Sequence, residues 1–149
     1  MNVRVMERLL KKFNTAKTLV PEPVFGQSTQ SSTMGLVYFG TTDIAIPETM
    51  NLLKSRGIQL DTMRIRAFPF CEDVVSFIND HEQVFLVEQN RDGQMRSLLI
   101  TECEIDPAKI VPILNYDGFP ITATCIADMV SNLLGKQMSD ADAGNFAAE

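Results

Sequence analysis

Tryptophan is absent from this 149-residue chain and histidine occurs once, as His81. One histidine cannot assemble a histidine-based metal site. The three cysteines, Cys71, Cys103 and Cys125, form no CxxC pair of the kind that zinc or cluster ligation uses. An odd, widely spaced set does not suggest a disulfide framework either. Buried, inert thiols in a reducing cytoplasm are the expectation. No apolar run approaches the roughly 20 residues needed to span a bilayer. The opening MNVRVMERLLKK has no apolar core of a signal peptide and no small-residue cleavage site. A basic excess is missing as well. The net charge is −6, which argues against a nucleic-acid stripe and against attraction to anionic membranes. No G-x-G-x-x-G follows the first apolar run, and neither a phosphate-binding P-loop nor a G-x-S-x-G nucleophile elbow occurs.

What is present reads as one domain with loose ends. Residues 1–20 have apolar Val5, Leu9, Leu10 and Phe13 near helical spacing with cations between them, and Pro21 and Pro23 end that helix. The EPVF segment that follows is available as an edge strand. The polar stretch 26–33 reads as a flexible loop. From Met34 onward, apolar runs alternate with amphipathic segments. The runs at 34–40, 58–65, 84–87 and 110–114 predict strands. The segments at 44–56, 72–78, 94–102 and 122–134 predict helices, with Thr41, Thr42 or Asp43 capping the first. Gly57 and Gly135 are the expected helix stops, and the polar tail 136–149 is expected to be disordered. This alternation implies right-handed βαβ crossovers. The fold class is therefore α/β: a three-layer α/β/α domain with a mainly parallel sheet of four or five strands.

Candidate residues collect where strands end, which is where α/β sheets bind ligands and partners. Glu88 follows four apolar strand residues and is read either as a perturbed catalytic carboxylate or as a cap for the turn. Asn90 and Gly93 suit turn or left-handed backbone, and Gln94 is placed to reach back as a cap. The turn Gly40, Thr41, Thr42, Asp43 is read either as an anion site or as an ordinary cap. Arg64 and Arg66 share one face of a strand end and are open to an anion, a partner carboxylate or solvent. Asn115, Tyr116, Asp117 and Gly118 give a strong turn signal. His81 is expected as a solvated helix-end residue.

Several of these pieces recur together in a known family. Gly40-Thr41-Thr42 is similar to its G-[ST]-[ST/N] turn. Leu53, Gly57 and Ile58 match its helix end, and Arg64, Ile65, Arg66, Phe68, Pro69 and Phe70 its (L/I)-R-x-x-x-P-F segment. Glu88, Asn90, Gly93 and Gln94, with Leu98 and Leu99, match its E-x-N-x-x-G-Q motif. Tyr116, Asp117, Gly118, Pro120 and Thr122 match its closing turn, and Thr15-Ala16 with Val20-Pro21 resemble its preceding linker. In this order they resemble the C-terminal, transketolase C-terminal-like domain of the alpha subunit of 2-oxoacid:ferredoxin oxidoreductases.

The resemblance implies an enzyme complex that oxidatively decarboxylates a 2-oxoacid to an acyl-CoA. It implies thiamine diphosphate, iron–sulfur clusters and CoA in the full complex, none of them bound by this chain alone. Residues 1–33 would be the linker from a preceding domain and 34–135 the domain itself. The implied role is assembly and support, without turnover in isolation. The implied partners are the other domain of the alpha subunit and the thiamine-diphosphate-binding beta subunit, and self-association is an expectation for a domain parted from its complex. Neither a nucleic acid nor a membrane is expected. Two rivals stand beside this reading: a stand-alone small-molecule or nucleotide-binding module using residues 40–43, and an enzyme acting through Glu88 with His81.

Overall fold

A computed structural model describes residues 3–26 and 32–145, the stretch 136–145 by its backbone alone. In chain order the elements are α1 (Val3–Lys17), β1 (Val24–Gly26), β2 (Met34–Phe39), a 3-10 turn (Gly40–Ala45), α2 (Ile46–Ser55), β3 (Asp61–Ile65), α3 (Glu72–Asp80), β4 (Gln83–Glu88), α4 (Gln94–Cys103), a short 3-10 turn (Pro107–Lys109), β5 (Ile110–Leu114) and α5 (Ala123–Asn145).

The strands lie in the order β1-β3-β2-β4-β5. β2, β3, β4 and β5 are parallel, and β1 joins the edge antiparallel, with Val24 opposite Arg64. The expected edge strand from the EPVF segment therefore forms. Alternation along each buried strand divides the core in two. Leu36, Tyr38, Phe85, Val87 and Ile113 face Leu53 of α2 and Ile126, Ala127 and Val130 of α5. Val37, Met63, Val84, Leu86 and Ile110 face Val74 and Ile78 of α3 and Leu99 of α4. Apolar side chains on both faces explain why these strands read as continuous runs. The expected three-layer α/β class holds.

The chain crosses from β2 to β3 on one side, then returns past β2 to form β4. The reversal places a topological switch point between β2 and β4, where a crevice opens at the carboxyl ends of the strands. Gly35 lies at the opposite, amino end of β2, paired with Asp61 of β3 and Val84 of β4. A Cβ there would come within 2.8 Å of the Phe77 ring, so glycine is required for that ring to cover the sheet.

Four expectations need correction. The helix expected over 44–56 begins instead as a 3-10 turn, and none of Thr41, Thr42 and Asp43 caps α2, because their side chains are bound elsewhere. The second parallel strand starts at Asp61 rather than at 58; Ile58 closes the preceding helix by donating to Leu53 O at 2.9 Å. Helix α5 runs through Gly135 to Asn145, because an isolated glycine costs a helix only about 1 kcal/mol and no proline follows. His81 is buried rather than solvated, stacked on Phe77 at 4.3 Å. The loop expected over 26–33 falls mainly on residues 27–31, which lie outside the described residues.

Candidate functional site

Four segments meet at the carboxyl edge of the sheet: 40–45 after β2, 66–70 after β3, 88–94 after β4 and 115–120 after β5. The sequence candidates fall on these segments or on the strand ends that lead into them.

Glu88 is fully buried and organises the β4 corner. Its Oε2 accepts from Asn90 Nδ2 at 2.9 Å and from Met95 N at 2.8 Å, and its Oε1 accepts from Arg96 N at 2.9 Å. The two backbone donors belong to the first turn of α4, whose amides have no partner within the helix. A carboxylate at that positive end is stabilised by the helix dipole. Asn90 Oδ1 accepts from Asp92 N at 3.1 Å and Gln94 N at 3.4 Å, which shapes the turn. Gly93 takes φ +60, the left-handed geometry expected of it. Glu88 and Asn90 supply the cap, so the Gln94 side chain is left exposed.

Sequence reasoning missed Gln89. Its side chain spans the switch point. Nε2 donates to Thr42 Oγ1 at 3.1 Å and to Thr41 Oγ1 at 3.4 Å, and Oε1 accepts from Ile121 N at 3.3 Å. One side chain, from the residue just after β4, thereby ties the segments that follow β2 and β5. Only the strand order makes these segments neighbours, so no local signal existed. Asn115 N adds a second tie, donating to Glu88 O at 2.9 Å.

Arg64 and Asp43 pair at 2.7 Å beside the Tyr38 hydroxyl. Burial pushes the Tyr38 hydroxyl up, the Asp43 carboxylate pushes it further, and Arg64 opposes both. Arg66 follows the end of β3 and is exposed. Pro69 is buried below Phe68, and Phe68 meets Phe70 edge-on at 5.3 Å. In the last segment Asp117 Oδ1 accepts from Phe119 N at 2.9 Å, and Gly118 has φ +89. This locks the turn while leaving Tyr116 and Phe119 exposed. Phe119 is 75% exposed and Ile44, across the crevice, 84%.

These contacts settle what the edge can do. The Thr41 and Thr42 hydroxyls accept from Gln89 and the Asp43 carboxylate is paired with Arg64, and these residues stand on a 3-10 turn rather than at the start of a helix. His81 precedes β4 and Glu88 ends it; at about 3.3 Å rise per residue the ends of that strand are roughly 17 Å apart. The two cannot share a substrate, which removes the Glu88–His81 enzyme. Among the described residues, no group of three or more His, Cys, Asp or Glu side chains is arranged to hold a metal ion. No helix of the described residues is long and apolar enough to cross a membrane.

The class that fold and site define is a doubly wound α/β domain whose carboxyl edge is tied by hydrogen bonds and carries exposed apolar side chains. Comparison with known proteins narrows it. The chain is 27% identical over 128 residues to subunit alpha of 2-oxoacid:ferredoxin oxidoreductase 2 from Aeropyrum pernix, an alignment taking in 83% of this chain and 20% of that protein. The chain thus spans about a fifth of its relative's length. Its fold is that of a 2-oxoglutarate:ferredoxin oxidoreductase from Magnetococcus marinus, solved with 2-oxoglutarate, coenzyme A and succinyl-CoA bound. That match has a TM-score of 0.74 at 22% identity, over 87% of this chain and 23% of the other. The alpha chain of a probable 2-oxoacid ferredoxin oxidoreductase from Thermoplasma acidophilum matches with a TM-score of 0.50 at 23% identity, over 76% of this chain and 97% of that one. No protein-family model matches. The homologues of this chain are alpha subunits of 2-oxoacid:ferredoxin oxidoreductases, as the order of its motifs implies.

Proposed function

We propose that this chain is the C-terminal, transketolase C-terminal-like domain of a 2-oxoacid:ferredoxin oxidoreductase alpha subunit, with residues 34–135 as the domain and 1–33 as the linker from a preceding one. The observation that carries the reading is the 128-residue alignment with an alpha subunit about five times the aligned length. The domain's work is assembly and support. Its carboxyl edge, built from Gly40 to Asp43, Arg64 to Phe70, Glu88 to Gln94 and Tyr116 to Pro120, faces the preceding domain or the thiamine-diphosphate-binding beta subunit, or lines the approach of substrate and CoA. The hydrogen-bonded corners support this role. They hold the turns that carry the exposed side chains of Ile44, Tyr116 and Phe119, and exposed apolar anchors of this kind are what interfaces use. Thiamine diphosphate, iron–sulfur clusters and CoA belong to the other parts of a cytoplasmic complex, and the chain alone has no turnover.

Two steps test this. Sequencing the DNA beside the coding region should reveal an in-frame pyrimidine-binding domain or a neighbouring gene for a thiamine-diphosphate-binding subunit. Co-expression with that partner should then yield a complex that survives gel filtration. A Phe119→Asp chain, altered at an exposed turn, should fold but fail to join it. Absence of both genes, or a complex indifferent to Phe119→Asp and Ile44→Asp, overturns the assignment or the edge role respectively.

A further inference from the structure

Helix α1 presents an exposed apolar face that the rest of its own chain covers only in part. No residue of α1 is buried, and Val3, Met6, Leu9, Leu10 and Phe13 are all exposed, Leu10 by 64%. Phe13 meets Phe68 edge-on at 6.4 Å. The helix is also opposite in sign to the rest of the molecule. It carries five basic residues and one acidic, whereas the remaining chain carries eight basic and eighteen acidic. Pairing α1 with a second α1 would set two cationic helices side by side. The acidic body of another copy is the complementary surface.

That body has a receptor of the right kind. An apolar groove of about 420 Å³ runs between β5 and α5, lined by Pro112, Ile113, Leu114, Tyr116, Met129 and Leu133. β5 is the open edge of the sheet, paired with β4 alone. Pro112 removes an N–H from the middle of that edge, so an added strand is a poor occupant. A helix laying its apolar stripe along the groove needs no such donor. Asp117, in the turn after β5, is close enough to bear on Cys125 of α5 and brings negative charge near the groove, whereas Asp128 is paired with Arg56 at 2.7 Å.

We propose that α1 of one copy docks in the β5–α5 groove of a second copy, and that the reciprocal contact closes a twofold pair. A twofold arrangement that makes both helix–groove contacts ends at two copies, whereas one contact alone would extend into longer assemblies, so a mass above the dimer also overturns the proposal. The groove shares Tyr116 with the edge assigned above to the oxidoreductase complex, so the pair belongs to the chain free of that complex.

Sedimentation equilibrium of the full chain tests it. At low salt the mass should be twice 16.6 kDa, and raised salt should weaken the pair. Leu10→Glu, at an exposed position of α1, should give a folded monomer. Asn132→Arg, exposed at the groove, should do the same by repelling the cationic helix. An equimolar mixture of the two variants retains one intact helix–groove contact and should recover a mixed dimer, weaker than the wild-type one. A wild-type monomer, a dimer that survives either variant, or a mixture that stays monomeric overturns the proposal. So does a wild-type monomer that sediments with vesicles of phosphatidylserine, which would make α1 a membrane-surface helix instead.

Discussion

Glu88 and Tyr38 are the two buried ionisable side chains that face the carboxyl edge, and both are committed to structure. Glu88 holds two first-turn amides of α4 and the Asn90 amide at once. Charge-assisted bonds of this kind contribute about 1.5–3 kcal/mol each, and leaving buried donors without a partner adds to the loss. Glu88→Gln keeps the shape but turns an amide group toward N–H donors. Urea denaturation should show a loss of about 2–4 kcal/mol. A change below about 0.5 kcal/mol, the range of an ordinary surface substitution, would contradict the capping role. Tyr38 gives the pH prediction. Its folded value is raised, first by burial and then by Asp43, so the unfolded chain releases this proton more readily. The stabilisation is complete below the ordinary tyrosine value of about 10 and is lost as pH rises through the folded value. Midpoints measured from pH 8 upward should therefore fall at the alkaline end, and Tyr38→Phe should make that fall shallower. An identical alkaline slope in the variant would remove Tyr38 as its source.

Elements whose signals are local were legible from the sequence. The strands at β2, β4 and β5, helices α1, α3 and α4, and the stop at Gly57 follow from apolar runs, acidic first turns and glycine. Gly57 has φ +76, donates to Lys54 O at 3.0 Å, and lets Ile58 close the helix. What failed was set by residues distant in sequence. Thr41 and Thr42 look like caps, yet Gln89, more than 40 residues away, takes their hydroxyls. His81 looks like a solvated helix end, yet its Nδ1 lies 2.6 Å from Phe77 O and its ring is covered. Two glycines separate the local from the contextual. Gly57→Ala would place an L side chain in left-handed backbone and should cost about 1–2 kcal/mol. A Cβ added at Gly135 would meet no neighbouring atom within 4 Å, and the residue lies inside a continuous helix. Gly135→Ala should stabilise by about 0.5–1 kcal/mol in thermal melts and raise the helical circular dichroism signal. If the chain leaves the helix at Gly135, as the sequence pattern alone implies, neither gain will appear.

At the scale of the whole molecule the sequence conveyed the layers and the gathering of its motifs at one edge, but not the strand order that places Gln89 across the crevice. The order matters because it separates a core with two packed faces from an α1 that shares almost none of it. A 15-residue helix is marginal in water without packing. The body meets α1 at the Phe13–Phe68 contact, an edge-on aromatic pair of the kind worth about 0.5–1.5 kcal/mol. Removing residues 1–19 leaves β1 and both core clusters whole. In dilute solution, where no pair forms, the shortened chain should lose only about 1 kcal/mol, and its denaturant slope should stay almost unchanged because little surface is subtracted from the transition. At high concentration the intact chain should gain further stability from association and the shortened one should not. Comparing the two melting temperatures across a dilution series therefore isolates what α1 does. A large loss at every concentration would mean that the helix is part of the core, and a gap that widens with concentration would mean that its apolar face is made for another surface.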